Sequence, residues 1–465
     1  MSKVPLVIES IVANDLCVGC GVCVAQCPSG ALVMDWNSQG FLQPKLKDIC
    51  NADGECLKVC PFNFEPEASV RTEDEISALF LNQSNQSSEK IGRYINLYAG
   101  FASKFRLTSS SGGLATFVLS ELLSRGEVQH VVSVKEASGK NHFFEYGVHS
   151  CKEDLLRASK TRYFPVTLSE VLSQVKLLEG KVAVTGVPCF VKALRLAQNR
   201  DLVLRAKIGF IVGIICGGLK SRFYTDFLAE NMGVKPDNVK GPSYRVKDLM
   251  STASDYSFAC EDGATNLRKE LKMRPLGDMW GTGLFKANAC DYCDDVATEL
   301  ADISLGDAWV EPFEKDGAGT SVVVTRTLLA ERIIKDGLAK GDLCLEEITE
   351  EVFVHTQRGS YNHRHNGLGY RMKLARKKGL LLPPKRRDGY SLSVFFKLVQ
   401  LQRMRLRRIS LSYYGKRESP QRFIKRIARE RQLLKLLTRF YHYHMRMVSL
   451  WNRMCSNTFK NNEEC

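Results

Sequence analysis

The sequence predicts a multidomain chain of mixed α+β and α/β class: a small cysteine-rich module, a larger α/β domain and a helical, basic tail. Three observations carry that reading. Seven of the 16 cysteines fall between positions 17 and 60. From about residue 95, β-branched runs alternate with amphipathic helical stretches, the pattern of a sheet covered by helices. Beyond residue 370 the charge balance changes. Residues 371–465 hold 25 Lys/Arg against 5 Asp/Glu, which leaves the preceding part mildly acidic within a whole-chain net charge of +15.

The first module, residues 1–62, contains Cys17, Cys20, Cys23 and Cys27 in the spacing C-x2-C-x2-C-x3-C-P. This is the iron–sulfur run of bacterial-type ferredoxins. A 4Fe-4S cube needs thiolates converging from a tight loop, and Gly19 and Gly21 let the backbone make that turn. Zinc and disulfide readings fit the spacing less well. The fourth cysteine of such a run ligates the other cluster, so a second run is required. It begins at Cys50, with Cys56 and Cys60 at the third and fourth positions and Asp53 where the second cysteine belongs. The crossing rule gives one cluster Cys17, Cys20, Cys23 and Cys60. The other takes Cys27, Cys50 and Cys56, with Asp53 as an oxygen ligand or merely facing water. Carboxylate oxygen is a harder ligand for iron than thiolate. A labile corner, with a 3Fe-4S form accessible, is therefore expected there.

Ligands that must stay reduced place the chain in the cytoplasm. MSKVPLVIES is no apolar signal segment, and the longest apolar run (208–219) is too short to span a bilayer. Residues 63–95 are rich in Glu, Ser, Asn and Gln and read as a linker with a helical turn or two.

In the domain expected over 96–365, INLYAGFA, VQHVVSVKE, KVAVTGV, KIGFIVGIIC, ADISLGDAWV and TSVVVTRT read as strands. Stretches beginning at Gly112, Pro188, Lys220 and Leu328 read as helices. Three features there carry chemistry. Thr108–Gly113 reads T-S-S-S-G-G before a helix, which suits a phosphate at the helix N-terminus or a plain cap. Neither a Walker A loop nor a dinucleotide glycine fingerprint is present. Cys189 and Cys216 follow predicted strands, and Cys290 and Cys293 form C-D-Y-C. Strand C-termini converge on one sheet edge, so these thiols can hold a further 4Fe-4S cluster, or zinc, or be ordinary buried cysteines. Ile303–Trp309 ends a strand with Gly306 and Asp307, placed either to line a flat cofactor or to make a core turn.

Taken together, S-S-S-G-G (109–113), G-V-P-C (186–189), C-G-G (216–218), S-Y-R-V-K-D (243–248), C-D-Y-C (290–293) and D-I-S-L-G-D-A-W (302–309), behind the two cysteine runs, resemble the family of coenzyme F-420 hydrogenase/dehydrogenase beta subunits. The match runs in order from about residue 10 to about residue 335. The resemblance implies a flavoprotein oxidoreductase whose FAD domain carries its own 4Fe-4S cluster and meets a deazaflavin or other small-molecule substrate. It implies Ser110, Ser111, Gly112 and Gly113 at the FAD phosphates, Lys247 and Asp307 near the flavin, and Cys189, Cys216, Cys290 and Cys293 as cluster ligands. Lys160, Tyr163 and Lys247 are the polar candidates for catalysis. A ferredoxin or partner oxidoreductase would exchange electrons with the N-terminal clusters. The alternative is a non-catalytic electron-transfer subunit.

The resemblance stops before the tail, 366–465. Its apolar residues at helical spacing beside Arg and Lys predict two amphipathic basic helices. They suit an anionic membrane surface at the inner face or an acidic protein partner. Nucleic acid is the least favoured, since no recognised binding motif is present.

Overall fold

The computed structural model describes residues 4–139, 142–276, 280–387, 389, 393–416 and 420–460. Two short helices, Val22–Ala25 and Glu55–Lys58, each begin after a glycine in the left-handed region, Gly21 (φ 75°) and Gly54 (φ 76°). They are the two halves of an internal repeat. Strands β1 (Leu32–Trp36) and β2 (Leu42–Leu46) pair antiparallel beside them.

Residues 63–95 are more ordered than a linker. Glu73–Phe80 is a helix started by a capping box, in which the Glu75 carboxylate accepts from the Thr72 amide at 2.7 Å. The T-x-x-E signature was present in the sequence. Ile76 and Leu81 of this segment are fully buried. A hairpin of β3 (Gln86–Ser88) and β4 (Gly92–Tyr94) follows. Polar composition hid these elements because only a few positions carry the burial.

The main sheet has eight strands: β5 (Asn96–Ala102), β6 (His130–Glu136), β7 (Phe144–His149), β8 (Val182–Gly186), β9 (Ile208–Ile214), β13 (Ile303–Asp307), β14 (Ser321–Thr325) and β15 (Leu343–Glu347). Between β9 and β13, β10 (Val239–Val246), β11 (Ser257–Asp262) and β12 (Leu267–Lys272) form a separate antiparallel sheet. The order in the main sheet is β15-β5-β14-β13-β9-β8-β6-β7. Its centre, β6-β8-β9-β13, is parallel and its flanks are antiparallel. All six predicted strands are found. β7, β15 and the separate sheet lacked a sequence signal strong enough to be read.

The cysteine-rich module is docked on this sheet. One continuous core joins Val7, Ile11 and Val59 to Val171, Val184 and Phe190. At the seam the Leu168 amide donates to the Cys20 carbonyl at 2.8 Å. A Cβ on Gly21 would lie 1.9 Å from Thr167 Oγ1, so no larger residue fits.

The tail forms the two expected helices, Val394–Gly415 and Pro420–Lys460, and a shorter one before them, Leu368–Arg376. They are not independent of the body. Val399, Leu406, Tyr413, Phe423, Ile427 and Leu434 enter a core with Tyr224, Phe227 and Phe285. An outward stripe, including Leu433, Leu436, Phe440, Tyr443, Met447 and Leu450, stays exposed. The sequence's apolar face for this helix also includes Trp451, whose side chain lies outside those described. No described helix is long and apolar enough to cross a membrane. Leu406→Ala, at a fully buried position, is expected to cost about 2–5 kcal/mol and to lower the thermal midpoint of the body. An unchanged midpoint would mean that the tail is detached.

Candidate functional site

Two groups of thiols form in the N-terminal module. Burial pushes the Cys60 thiol well above its ordinary pKa, and neighbouring Cys20, Cys17 and Cys56 add to the rise. Cys23 is raised by burial and then by Cys20, Cys17 and Cys60. Cys56 is raised by burial and then by Cys27, Asp53 and Cys50. Cys60 thus lies near Cys17 and Cys20, and Cys56 near Cys27 and Cys50, while Cys56 is also a neighbour of Cys23 and Cys60. Each set includes an amide aimed at sulfur: Gly19 N–H to Cys17 Sγ at 3.4 Å and Ala52 N–H to Cys50 Sγ at 3.3 Å. Ala52 holds the left-handed conformation that Gly19 holds in the other half. Asp53 is exposed, and its Oδ1 accepts from the Glu55 amide at 2.8 Å, at the first turn of the short helix.

A third group lies at the C-terminal edge of the parallel strands. Cys189 sits in the first turn of the helix Pro188–Arg200 after β8, and Cys216 follows β9. Cys290 and Cys293 lie in and just after a short 3₁₀ turn. Burial raises the Cys189 thiol, then Cys290, Cys293, Cys216 and, from the other module, Cys20. The amide-to-sulfur motif recurs, with Gly218 N–H to Cys216 and Leu219 N–H to Cys290, both at 3.3 Å. Among the described residues no three His, Cys, Asp or Glu side chains are arranged to hold a single metal ion. A cubane spreads its thiolates over a larger tetrahedron than one ion does. Buried thiols with amides directed at sulfur fit the donor set of an iron–sulfur cluster.

Sequence reasoning missed the cations around this group. Arg364 is buried, and its guanidinium lies 3.6 Å from Cys293 Sγ and 2.6 Å from the Asp295 carbonyl. Burial opposes its charge, but Cys293, Cys216 and Cys290 outweigh that and raise its pKa. Beside Cys290, Lys286 donates to Asp291 at 2.6 Å and touches His363 at 2.9 Å. Arg407 of the tail lies 3.4 Å from the same carboxylate. No local pattern marked Arg364, and nothing in the tail's composition separated Arg407 from its neighbours.

Over the same sheet edge opens a cavity of about 1760 Å³, bordered by Ser109–Ser111, Gly113, Lys160, Tyr163, Cys216, Trp280 and Asp307. Gly113 (φ 82°) starts the helix Leu114–Ser124. The first-turn amides of Leu114, Ala115 and Thr116 have no partner within the helix, and all three residues line the cavity. Loop Ser109–Gly112 is pinned from behind: Gly112 N–H donates to Ser321 Oγ at 3.1 Å. A Cβ on Gly112 would meet the Gly100 carbonyl at 2.7 Å. A phosphate-sized anion fits this arrangement.

Lys247 does not line the cavity. Its ammonium donates to the carbonyls of Arg106, Ser111 (2.8 Å) and Ala318 (2.6 Å), which ties the serine loop in place. Burial, then Arg245, Arg106 and Lys160, push its pKa down to about 8. Asp307 is held by Arg245 through two bonds of 2.6 and 2.7 Å. Burial raises the Tyr163 hydroxyl well above its usual pKa, and its ring packs edge-on to Trp280 at 4.7 Å. Lys160 has a lowered pKa, from desolvation and then Arg162.

A docked two-run cysteine module and a mixed α/β sheet with thiols at its strand ends define an iron–sulfur redox protein. Residues 16–64 match the 4Fe-4S dicluster domain. Residues 97–173 and 179–351 match the N-terminal and C-terminal parts of coenzyme F420 hydrogenase/dehydrogenase, beta subunit. The chain belongs to the family of F420 hydrogenase/dehydrogenase beta subunits, with an N-terminal 4Fe-4S dicluster domain. It is 24% identical over 328 residues to a component of the F(420)H(2) dehydrogenase of Methanosarcina mazei, covering 68% of this chain and 83% of that one. It is 23% identical to the coenzyme F420-dependent sulfite reductase of Methanocaldococcus jannaschii over 73% of this chain, but spans only 49% of that protein. A chain of the F420-reducing [NiFe] hydrogenase complex from Methanosarcina barkeri superposes with a TM-score of 0.49 at 19% identity, over 65% of this chain and 100% of that one.

Proposed function

We propose that this protein is an FAD- and iron–sulfur-dependent oxidoreductase that moves electrons between its ferredoxin-type clusters and a deazaflavin or other organic substrate. The observation that carries the reading is the position of Cys216. It belongs to the third thiol group and also borders the cavity that the serine loop opens into. Cys20 of the docked module neighbours Cys189 of the same group, and Cys60 neighbours Cys56, which supports reading the three thiol groups and the cavity as one series.

When bound, FAD exchanges a hydride with an organic partner and single electrons with iron–sulfur centres. Ser110, Ser111, Gly112, Gly113 and the first-turn amides would hold its phosphates. Cys189, Cys216, Cys290 and Cys293 would hold a third 4Fe-4S cluster. Arg245 fixes the Asp307 carboxylate at the cavity wall, and Tyr163 with Trp280 forms an aromatic side that excludes water. The Tyr163 hydroxyl, kept protonated by burial, can donate a hydrogen bond there. Lys160 lies at the same wall. Lys247 acts as a brace for the serine loop. Asp53 is proposed as the weak corner of the second N-terminal cluster.

A second reading, a subunit that relays electrons without a substrate of its own, is supported by the relatives named as subunits of larger enzymes. Anaerobic stopped-flow separates the two. Mixing the isolated, reconstituted chain with the reduced deazaflavin is expected to bleach the flavin band within a single turnover. Bleaching only after addition of a partner protein would favour the relay, and a chain that takes up no flavin would contradict the enzyme reading.

Arg364 supplies a second prediction. A buried cation beside cluster thiolates stabilises the reduced, more negative state. Arg364→Gln is therefore expected to shift the third cluster to a more negative potential in an EPR-monitored titration, with Arg364→Lys shifting it less. Equal potentials in all three proteins would remove that role.

A further inference from the structure

The cavity carries more positive charge than one dinucleotide accounts for. Among the described residues, eleven Lys and Arg line it against one carboxylate, Asp307, which Arg245 pairs; Arg364 is already engaged by Cys293 and the Asp295 carbonyl, and Lys220 by the Leu284 carbonyl. A flavin pyrophosphate at the serine loop brings two negative charges. The volume points the same way: about 1760 Å³ exceeds the roughly 300–1,000 Å³ of an ordinary ligand site. Room and charge remain for a second ligand.

The excess is concentrated on the tail. Arg431, Lys435, Arg439 and Arg446 of the helix Pro420–Lys460 all line the cavity. Their spacings of four, four and seven residues put them on one face of an α-helix, a stripe about 22 Å long. Lys435, Arg439 and Arg446 are solvent-accessible and so stand at the cavity's mouth. The nearby acid on this helix, Glu430, is engaged elsewhere, by Arg405 at 2.8 Å and Gln402 at 2.7 Å. Exposed apolar Leu436, Tyr443 and Leu450 flank this stripe, and Leu433 lies on the far side of the helix.

We infer that the tail helix builds an anion subsite at the cavity mouth, for a small-molecule substrate carrying two or more negative charges as carboxylates or phosphates. This rests on the flavin reading of the inner cavity and assigns the outer part to the substrate. A membrane or a duplex would need these cations on an outward, convex face. They border a concave space instead, which suits a small ligand. The subsite lies on a segment outside the residues that match the family models, 97–173 and 179–351.

The test uses the full-length, flavin-loaded chain, with citrate and tripolyphosphate as separate probes in titration calorimetry. The wild type is expected to bind at least one of them in a salt-sensitive way. The triple variant Lys435→Gln, Arg439→Gln, Arg446→Gln is expected to bind about tenfold more weakly, as the loss of three exposed charge contacts implies. Its flavin content and thermal midpoint should match the wild type. Which probe binds identifies carboxylate or phosphate as the recognised group. The charge-preserving pair Arg439→Lys, Arg446→Lys should retain binding, which keeps the test valid if the triple variant folds poorly. Equal affinity in wild type and triple variant would overturn the inference. So would failure of the wild type to bind either probe, or binding of anionic vesicles (phosphatidylserine with phosphatidylcholine) that neither probe competes with. A wild type that binds the probes through these residues but holds no flavin would sink the flavin reading and leave the subsite standing.

Discussion

Contact between the cysteine-rich module and the sheet edge is the constraint on which the rest depends. Gly21 must turn the cluster loop with a positive φ and, at the same point, let Thr167 and Ser169 approach its Cα. Electron transfer between centres requires short gaps, and this seam brings Cys20 beside Cys189. A side chain at position 21 would push apart the two halves of the proposed path. The continuous core across the seam makes the module part of one body.

Buried charge does a related task at the back of the site. Glu73, from the helix that polar composition concealed, pairs with Lys192 at 3.0 Å. Lys385 pairs with Asp294 at 2.9 Å, and Arg386 reaches Glu299 at 2.7 Å. Such pairs contribute little net stability once their desolvation is counted, but losing one partner strands a buried charge. They fix the segment that follows Cys293 relative to residues 73–80 and 385–386. The tail adds Arg407 beside Asp291. The thiol group is thus surrounded by charges from several stretches of chain that are far apart in sequence.

Much of this was legible in the sequence for clear reasons. Cluster-binding loops are local, so Cys17–Cys27 and Cys50–Cys60 announce themselves by spacing. Parallel strands buried on both faces read as β-branched runs, as in KIGFIVGIIC. Residues that act through tertiary contact were not legible. Arg364 reaches Cys293 across 71 positions, and Lys247, read as a flavin neighbour, turns out to brace three backbone carbonyls. The tail's helices were visible by period, but period cannot say which face meets the body. Only the fold shows the apolar side of Phe423 and Leu434 against the core and the basic stripe at the cavity.

The central claim is that one chain carries a continuous series of three clusters and a flavin. Iron, acid-labile sulfide and flavin should be measured on anaerobically reconstituted protein, with EPR before and after dithionite. The account predicts about eleven to twelve irons and about one FAD per chain, with magnetic interaction between reduced clusters. About eight irons without flavin would contradict it and leave a two-cluster electron carrier fused to a domain of other purpose.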